Sequence, residues 1–179
     1  MLEWVGAFSE ETDAQIVQRN FLKKVKSDLN EQGHCVIGIE NRFGLKYLMG
    51  AVDDHIGAPG IAIFDAELAK KKWRELTGKM LRVFTYTLEE YRQLFKEVGF
   101  KTIKIYAAFP DYKIPQVILS ADEKNEVNKY FNENNYIEEH NGVNGNLLEN
   151  QTELQSHYLS MSKLGIAQYF APSYIISAE

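Results

Sequence analysis

The sequence has very few cysteines and prolines and no excess of positive charge. Among 179 residues there are four prolines and one cysteine, Cys35. A single thiol excludes an internal disulfide and any zinc site built from several cysteines, and it is typical of a reducing compartment. Lys and Arg number 20 against 25 Asp and Glu, a formal net charge of −5. This balance disfavours a nucleic-acid partner bound through bulk charge.

Long apolar runs are also absent. No stretch approaches the roughly 20 consecutive apolar residues that a membrane-spanning helix needs. The first residues show no basic-then-apolar signal pattern, because Glu3 and Glu10 interrupt them. Hydrophobic residues make up 45% of the chain, as in ordinary globular domains. We therefore expect a cytoplasmic protein with no membrane partner, folded as one domain over residues 1–179.

Local patterns predict alternating helices and strands. A helix is expected at 87–98, because Thr87 and Glu90 form a capping box and Gly99 follows the last apolar position. The helix at 12–30 is assigned a capping box at Thr12 and Gln15. Further helices are predicted at 66–77, 120–134 and 147–164, a polar turn at 141–146, a loop at 109–115, and strands at 34–39, 102–107, 116–120 and 169–178.

The run at 34–39 is apolar at nearly every position. Such a run is typical of a strand that is covered on both faces in a parallel sheet, and with the preceding helix it makes half of a βαβ unit. In the stretch that follows, 40–80, apolar residues keep neither the spacing of a helix nor the alternation of a strand for long, and glycines recur. Open α/β sheets bind ligands at the carboxyl ends of their strands, so we expect ligand contacts there.

Several short motifs are informative through their order along the chain. They are Leu2-Glu3-Trp4 as the end of a strand, the helix 12–30 leading to Val36-Ile37-Gly38-Ile39-Glu40-Asn41-Arg42, Asp53-Asp54-His55, Phe109-Pro110-Asp111-Tyr112-Lys113-Ile114-Pro115, and the closure from Thr87–Gly99 to Ser173–Ala178. In this order they resemble the C-terminal half of a class I S-adenosylmethionine-dependent methyltransferase, in the bacterial branch associated with cell-surface saccharide pathways.

The resemblance implies a fold class and a reaction. The fold would be α/β, a partial Rossmann-like sheet with helices on its faces and an antiparallel final strand. That strand, Ser173–Ala178, would lie between the strands at 35–39 and 102–107. S-adenosylmethionine would be the cofactor, and a small molecule or a saccharide-linked compound would accept the methyl group. Residues 40–80 and 109–165 would be insertions that form the acceptor-side region.

The glycine-rich cofactor loop that the family carries after its first strand is not found in this sequence. Neither 57–60 nor 142–145 lies between a buried strand and a helix start, as such a loop requires. We therefore expect a truncated methyltransferase whose isolated chain is inactive and whose Met1 lies within a larger protein. The uncovered sheet edge favours self-association or pairing with the missing N-terminal half.

Site residues are assigned partly through the resemblance. It places Glu3, Trp4 and Asn41 against the cofactor. Arg42 follows the buried strand, and the loop at 109–115 carries Tyr112 and Lys113, so these three are expected to bind the acceptor.

One group has acid–base potential from its residue types alone. His55 lies beside Asp53 and Asp54, and a neighbouring carboxylate can fix an imidazole tautomer and raise its basicity. We predict His55 as the possible base, with Asp54 as its partner. A solvated turn is the alternative. No metal site is predicted, because the spacing of these residues matches no ligand signature.

Two other functions remain open. The chain could be a noncatalytic assembly module that completes its half-sheet with another copy or partner. A hydrolase using Asp53, Asp54 and His55 is the least favoured, because no Gly-x-Ser-x-Gly elbow supplies a nucleophile.

Overall fold

The computed structural model describes residues 1–10, 13–122, 124–133, 135, 137 and 151–179. These residues form an α/β fold around one four-stranded sheet. The strands are β1 (Cys35–Glu40), β2 (Ile103–Phe109), β3 (Val117–Ser120) and β4 (Ser173–Ala178). The helices are α1 (Ala14–Asp28), α2 (Leu45–Leu48), α3 (Ala66–Thr77), α4 (Leu88–Val98), α5 (Lys124–Asn132) and α6 (Gln151–Lys163), with short 3₁₀ helices at Leu2–Phe8 and Ala167–Phe170.

The order of the strands in the sheet is β1-β4-β2-β3. Every neighbouring pair is antiparallel, with Ile37 opposite Ile176 and Ile105 opposite the same residue from the other side. Strands β1 and β2 therefore run in one direction, and β4 lies reversed between them. The predicted position of the final strand is confirmed.

Strand β1 differs from the prediction for 34–39. It pairs with β4 alone among the described strands, and antiparallel, so it is an edge strand and not a central parallel one. The Val36 side chain is 65% exposed, whereas Ile39 is fully buried. A continuous apolar run predicts a strand, but it does not by itself distinguish a covered position from an edge.

The first residues also differ from the prediction. Leu2-Glu3-Trp4 belongs to the 3₁₀ helix Leu2–Phe8 and is not the end of a strand. Gln18, buried on α1, holds this helix in place because its Nε2 donates to the carbonyls of Leu2 and Phe84. Helix α1 begins after Asp13, whose side chain accepts from the Gln15 amide, so the cap is Asp13. Thr12 lies outside the described residues.

The remaining elements follow the local signals closely. Both hydrogen bonds of the Thr87–Glu90 capping box are present, and Gly99 ends α4 with a left-handed backbone. The predicted short strand after the loop is confirmed as β3. The last strand begins at Ser173 and not at 169, because the preceding residues form the 3₁₀ helix Ala167–Phe170. The predicted turn at 141–146 lies outside the described residues.

The apolar face of α4 covers the sheet. Its residues Leu88, Tyr91 and Phe95 are almost fully buried in the main core together with β2 and β4. Tyr91 Oη donates to the Glu40 carbonyl at 2.9 Å, which ties this helix to the carboxyl end of β1. None of the helices described is both long and apolar enough to cross a membrane.

Cys35 offers a test of how well the start of β1 is covered. It is buried opposite Ala178, and burial raises the pKa of its thiol. Because a protonated, covered thiol reacts poorly, we expect an aromatic disulfide reagent to label native protein at least about tenfold more slowly than unfolded protein. Absorbance of the released thiolate measures both rates. Equal rates in native buffer and in concentrated urea would contradict the burial.

Candidate functional site

Four ionisable side chains from three segments meet at the carboxyl end of β1. Glu3 comes from the N-terminal 3₁₀ helix, Glu40 ends β1, and Asp53 and His55 lie in the loop after α2. His55 Nε2 lies 3.7 Å from Glu3 Oε1 and 3.4 Å from Glu40 Oε2. His55 Nδ1 lies 3.4 Å from Asp53 Oδ1. We call these four residues the acid–imidazole cluster.

The cluster is almost completely buried. The side chains of Glu3, Glu40, His55 and Asp53 are 3%, 1%, 6% and 9% exposed. Buried carboxylates are costly unless cations and hydrogen bonds compensate them. Glu40 Oε1 accepts from Lys113 Nζ at 2.8 Å, and Glu3 Oε1 accepts from the Met1 amino group at 2.6 Å.

Compensation is incomplete at three atoms. Glu3 Oε2, Glu40 Oε2 and His55 Nδ1 have no hydrogen-bond partner among the residues that the structure describes. The separations around His55 are those of ion pairs and exceed ordinary hydrogen-bond lengths. Buried polar atoms without partners are uncommon in folded proteins and indicate strain, a ligand or a functional role.

The electrostatics favour a charged imidazole. Burial lowers the pKa of His55, but the carboxylates of Asp53, Glu3 and Glu40 outweigh burial and raise this pKa to about 11. Burial raises the pKa of Glu3, and His55 together with the terminal ammonium outweighs that effect and brings it to about 2. For Glu40, burial is likewise outweighed by His55 and Lys113, which hold its pKa below the ordinary value. An imidazolium has no free lone pair, so His55 could accept a proton only after a ligand changes this balance.

Aromatic side chains flank the cluster. The Trp4 ring lies edge-on to His55, with centroids 5.5 Å apart. Tyr112 packs directly on Gly38 in β1, where an added Cβ would lie 2.3 Å from Tyr112 Cδ2. Lys113 Nζ lies 5.0 Å from the Tyr112 ring centroid. Glycine at position 38 therefore lets the loop after β2 approach β1 and bring Lys113 to Glu40.

The structure brings together five of the predicted site residues. They are Glu3, Trp4, His55, Tyr112 and Lys113. The roles assigned to them stay predictions, because position alone does not identify a bound molecule. Glu40 was not predicted, although a charged residue at the end of an apolar strand is a signal that could have indicated it.

Three other predicted residues make different contacts. Asp54 accepts from Lys46 Nζ at 2.7 Å and from Tyr47 Oη at 3.2 Å, and it is Asp53 that lies against His55. Burial raises the pKa of Asp54, but Lys46 outweighs it and keeps this pKa below the ordinary value.

Asn41 is fully buried and holds the chain before β4. Its Nδ2 donates to the carbonyls of Tyr169 and Ala171, both at 2.8 Å, and its Oδ1 accepts from the Phe43 amide. All the polar atoms of this side chain therefore have backbone partners. As placed, the side chain has little capacity left for a cofactor.

Arg42 lies in a cleft next to the cluster. Its guanidinium donates to the Phe64 carbonyl and to Glu90 Oε1, the latter at 2.9 Å. Arg42 Nε is buried without a partner in the described part of the chain. His55 and Asp53 line the same cleft, so the cleft connects the predicted acceptor-binding arginine with the acid–imidazole cluster.

Comparisons of this chain with protein-family models, with curated proteins and with solved structures found no match. Any assignment of function therefore depends on the residues, their geometry and their electrostatics.

Asn41 provides a test that separates a structural from a cofactor-binding role. In Asn41→Ala the two carbonyls lose their donor, so we expect the free energy of unfolding to fall by about 1–3 kcal/mol. Asn41→Asp should be at least as damaging, because a carboxylate cannot donate. Urea unfolding followed by circular dichroism measures both variants.

The matched control is Asn30→Ala. Among the described residues, Asn30 Oδ1 accepts a hydrogen bond from the exposed amide of Gln32 alone, so we expect a change within about 0.5 kcal/mol. Unchanged stability in Asn41→Ala would contradict the structural role and favour the cofactor role.

Proposed function

We propose that this chain is the acceptor-side part of a class I S-adenosylmethionine-dependent methyltransferase with a Rossmann-like sheet, acting on a small-molecule or saccharide-linked acceptor. The observation that supports this most is the reversed β4 between β1 and β2, together with a buried charged site at the carboxyl end of β1. The resemblance in the sequence implies this strand arrangement. Ligands of open α/β sheets bind at such strand ends.

The side chains around the cluster suit a polar acceptor. Tyr112 offers a ring surface to a sugar, and Lys113 and Arg42 offer donors to its hydroxyl groups or to an acidic substituent. The oxygen Glu40 Oε2, which has no hydrogen-bond partner in the described part of the chain, could accept a hydrogen bond from an acceptor hydroxyl.

The chemistry asked of these residues is mainly positioning. S-adenosylmethionine supplies a methyl group on a sulfonium when it is bound. The residues of this chain would hold the acceptor atom in line with that methyl group. When the acceptor is a hydroxyl, its proton would pass to the cluster as the new bond to carbon forms. His55 remains our proposed base, with its basicity available only once the bound acceptor has altered the contacts of Glu3 and Glu40.

The cofactor side of the site would come from elsewhere. The glycine-rich pattern that the cofactor loop requires is not found in the sequence, and β1 is an edge strand of the described sheet. We propose that a further segment with the glycine-rich loop pairs along β1. Glu3 and Trp4, next to that edge, would then reach the cofactor.

Titration calorimetry with S-adenosylhomocysteine tests the proposal. We expect weak or no binding to this chain and micromolar binding to a chain extended upstream through a glycine-rich loop. Trp4→Ala in the extended chain should abolish measurable binding, whereas Trp73→Phe on α3, away from β1, should leave it unchanged. Absence of binding to both chains would contradict the methyltransferase proposal.

A second function, a noncatalytic assembly module, is favoured by the edge position of β1. The exposed Val36 lies on this edge, and an edge strand can pair with a second copy. We expect light scattering to give a dimer for the unmodified chain and a monomer for Val36→Lys, because a lysine at an edge opposes strand pairing. Leu76→Lys on α3 is the control, since Leu76 is equally exposed, at 66%. A folded monomer of the unmodified chain at all concentrations would contradict self-association.

A further inference from the structure

Three side chains of the acid–imidazole cluster bring possible metal-ligand atoms close together. Glu3, Glu40 and His55 each offer one possible ligand atom, and these atoms all lie within 4.8 Å of one another. Two of the three side chains carry a carboxylate oxygen, Oε2, that accepts no hydrogen bond in the described part of the chain. Buried carboxylates beside an imidazole are a composition that metal sites share.

We propose that Glu3, Glu40 and His55 form a binding site for a divalent transition-metal ion. This inference goes beyond the proposed methyl transfer and does not depend on it. It rests on the positions and burial of these three side chains.

The distances fit an ion of this kind. Ligands about 2.0–2.2 Å from a tetrahedral ion lie about 3.4 Å apart. His55 Nε2 lies 3.4 Å from Glu40 Oε2 and 3.7 Å from Glu3 Oε1. Both separations from His55 Nε2 therefore match those expected around such an ion.

The contacts of Lys113 and Asp53 suit a metal ion, because Lys113 leaves one Glu40 oxygen available and Asp53 orients the imidazole of His55. Lys113 occupies Oε1 of Glu40, so Oε2 of Glu40 remains for the ion. At Glu3 the ion would bind Oε1 in place of the Met1 amino group. Asp53 Oδ1 lies 3.4 Å from His55 Nδ1, the position from which a carboxylate orients a metal-bound histidine. Binding through Nε2 would release the proton on that nitrogen to solvent.

The ligand set indicates the class of metal. One imidazole and two carboxylates suit Zn²⁺, Mn²⁺ or Fe²⁺, whereas Mg²⁺ and Ca²⁺ prefer sites built from oxygen alone. Three protein ligands leave a coordination position for water or for a substrate oxygen.

Trp4 provides a built-in reporter for the test. Its ring lies 5.5 Å from that of His55, and the only other tryptophan is Trp73. In a tag-free Trp73→Phe chain, Co²⁺ should quench Trp4 fluorescence saturably, and Zn²⁺ should displace it with a stoichiometry of one ion per chain. Mg²⁺ at the same concentrations should not compete.

Ligand variants and matched histidine variants decide between this site and surface binding. Glu40→Gln and His55→Gln should weaken Zn²⁺ binding at least about tenfold. His34→Gln and His157→Gln should leave it unchanged, because those histidines form exposed pairs with single glutamates, Glu179 and Glu153, each at 3.6 Å. Circular dichroism checks the fold of each variant, and Glu3→Gln replaces any that does not fold.

Three results would overturn the proposal. They are no saturable Zn²⁺ or Co²⁺ binding, equal affinity in the folded ligand variants, and equal competition by Mg²⁺, which would indicate general attraction to acidic groups. The calorimetric titration with S-adenosylhomocysteine is performed in chelator. Failure of the metal site is therefore distinguishable from failure of the methyltransferase proposal.

Discussion

Burying the carboxylate of Glu40 at the end of β1 requires positive charge and donors to be brought to it, because an isolated buried carboxylate is strongly unfavourable. Lys113 reaches it from the loop after β2, and His55 reaches it from the loop after α2. Glu3 then shares the same imidazole. The loop with Lys113, the loop with His55 and the N-terminal helix with Glu3 are distant in sequence but meet around the Glu40 carboxylate. The candidate site lies where these three segments meet.

The backbone next to this charge is unusually well fixed. Tyr91 Oη donates to the Glu40 carbonyl, and the Asn41 amide and side chain bind the segment that leads into β4. The carboxyl end of β1 is therefore attached to helix α4 and to the last strand at once. A site that lies on such a strand end has a rigid support. Its cover, the loop with Tyr112 and Lys113, is held by the close contact of Tyr112 with Gly38 and by the ion pair of Lys113 with Glu40.

The sequence predicted those features whose causes are local. The capping box at Thr87 and the left-handed Gly99 act within one turn of helix, so neighbouring residues suffice to identify them. The site was predicted only in part, since His55, Lys113 and Glu3 were named individually but Glu40 was missed. The Glu40 carboxylate is paired with Lys113, which lies 73 positions away in the sequence. The edge position of β1 and the 3₁₀ helix Leu2–Phe8 also depend on long-range packing, such as the Gln18 bonds, which no local pattern encodes.

The charge balance of the cluster connects its possible functions. Glu3, Glu40 and Asp53 surround the imidazole of His55, so the site favours a positive charge at its centre. In the absence of a ligand, the protonated imidazole provides this charge. A metal ion or a cationic group would provide it in the same place. Any such ligand would bind the N-terminal helix, β1 and the loop after α2 simultaneously. Because those contacts exist only in the folded chain, ligand binding and the assembly of this end of the sheet must stabilise each other.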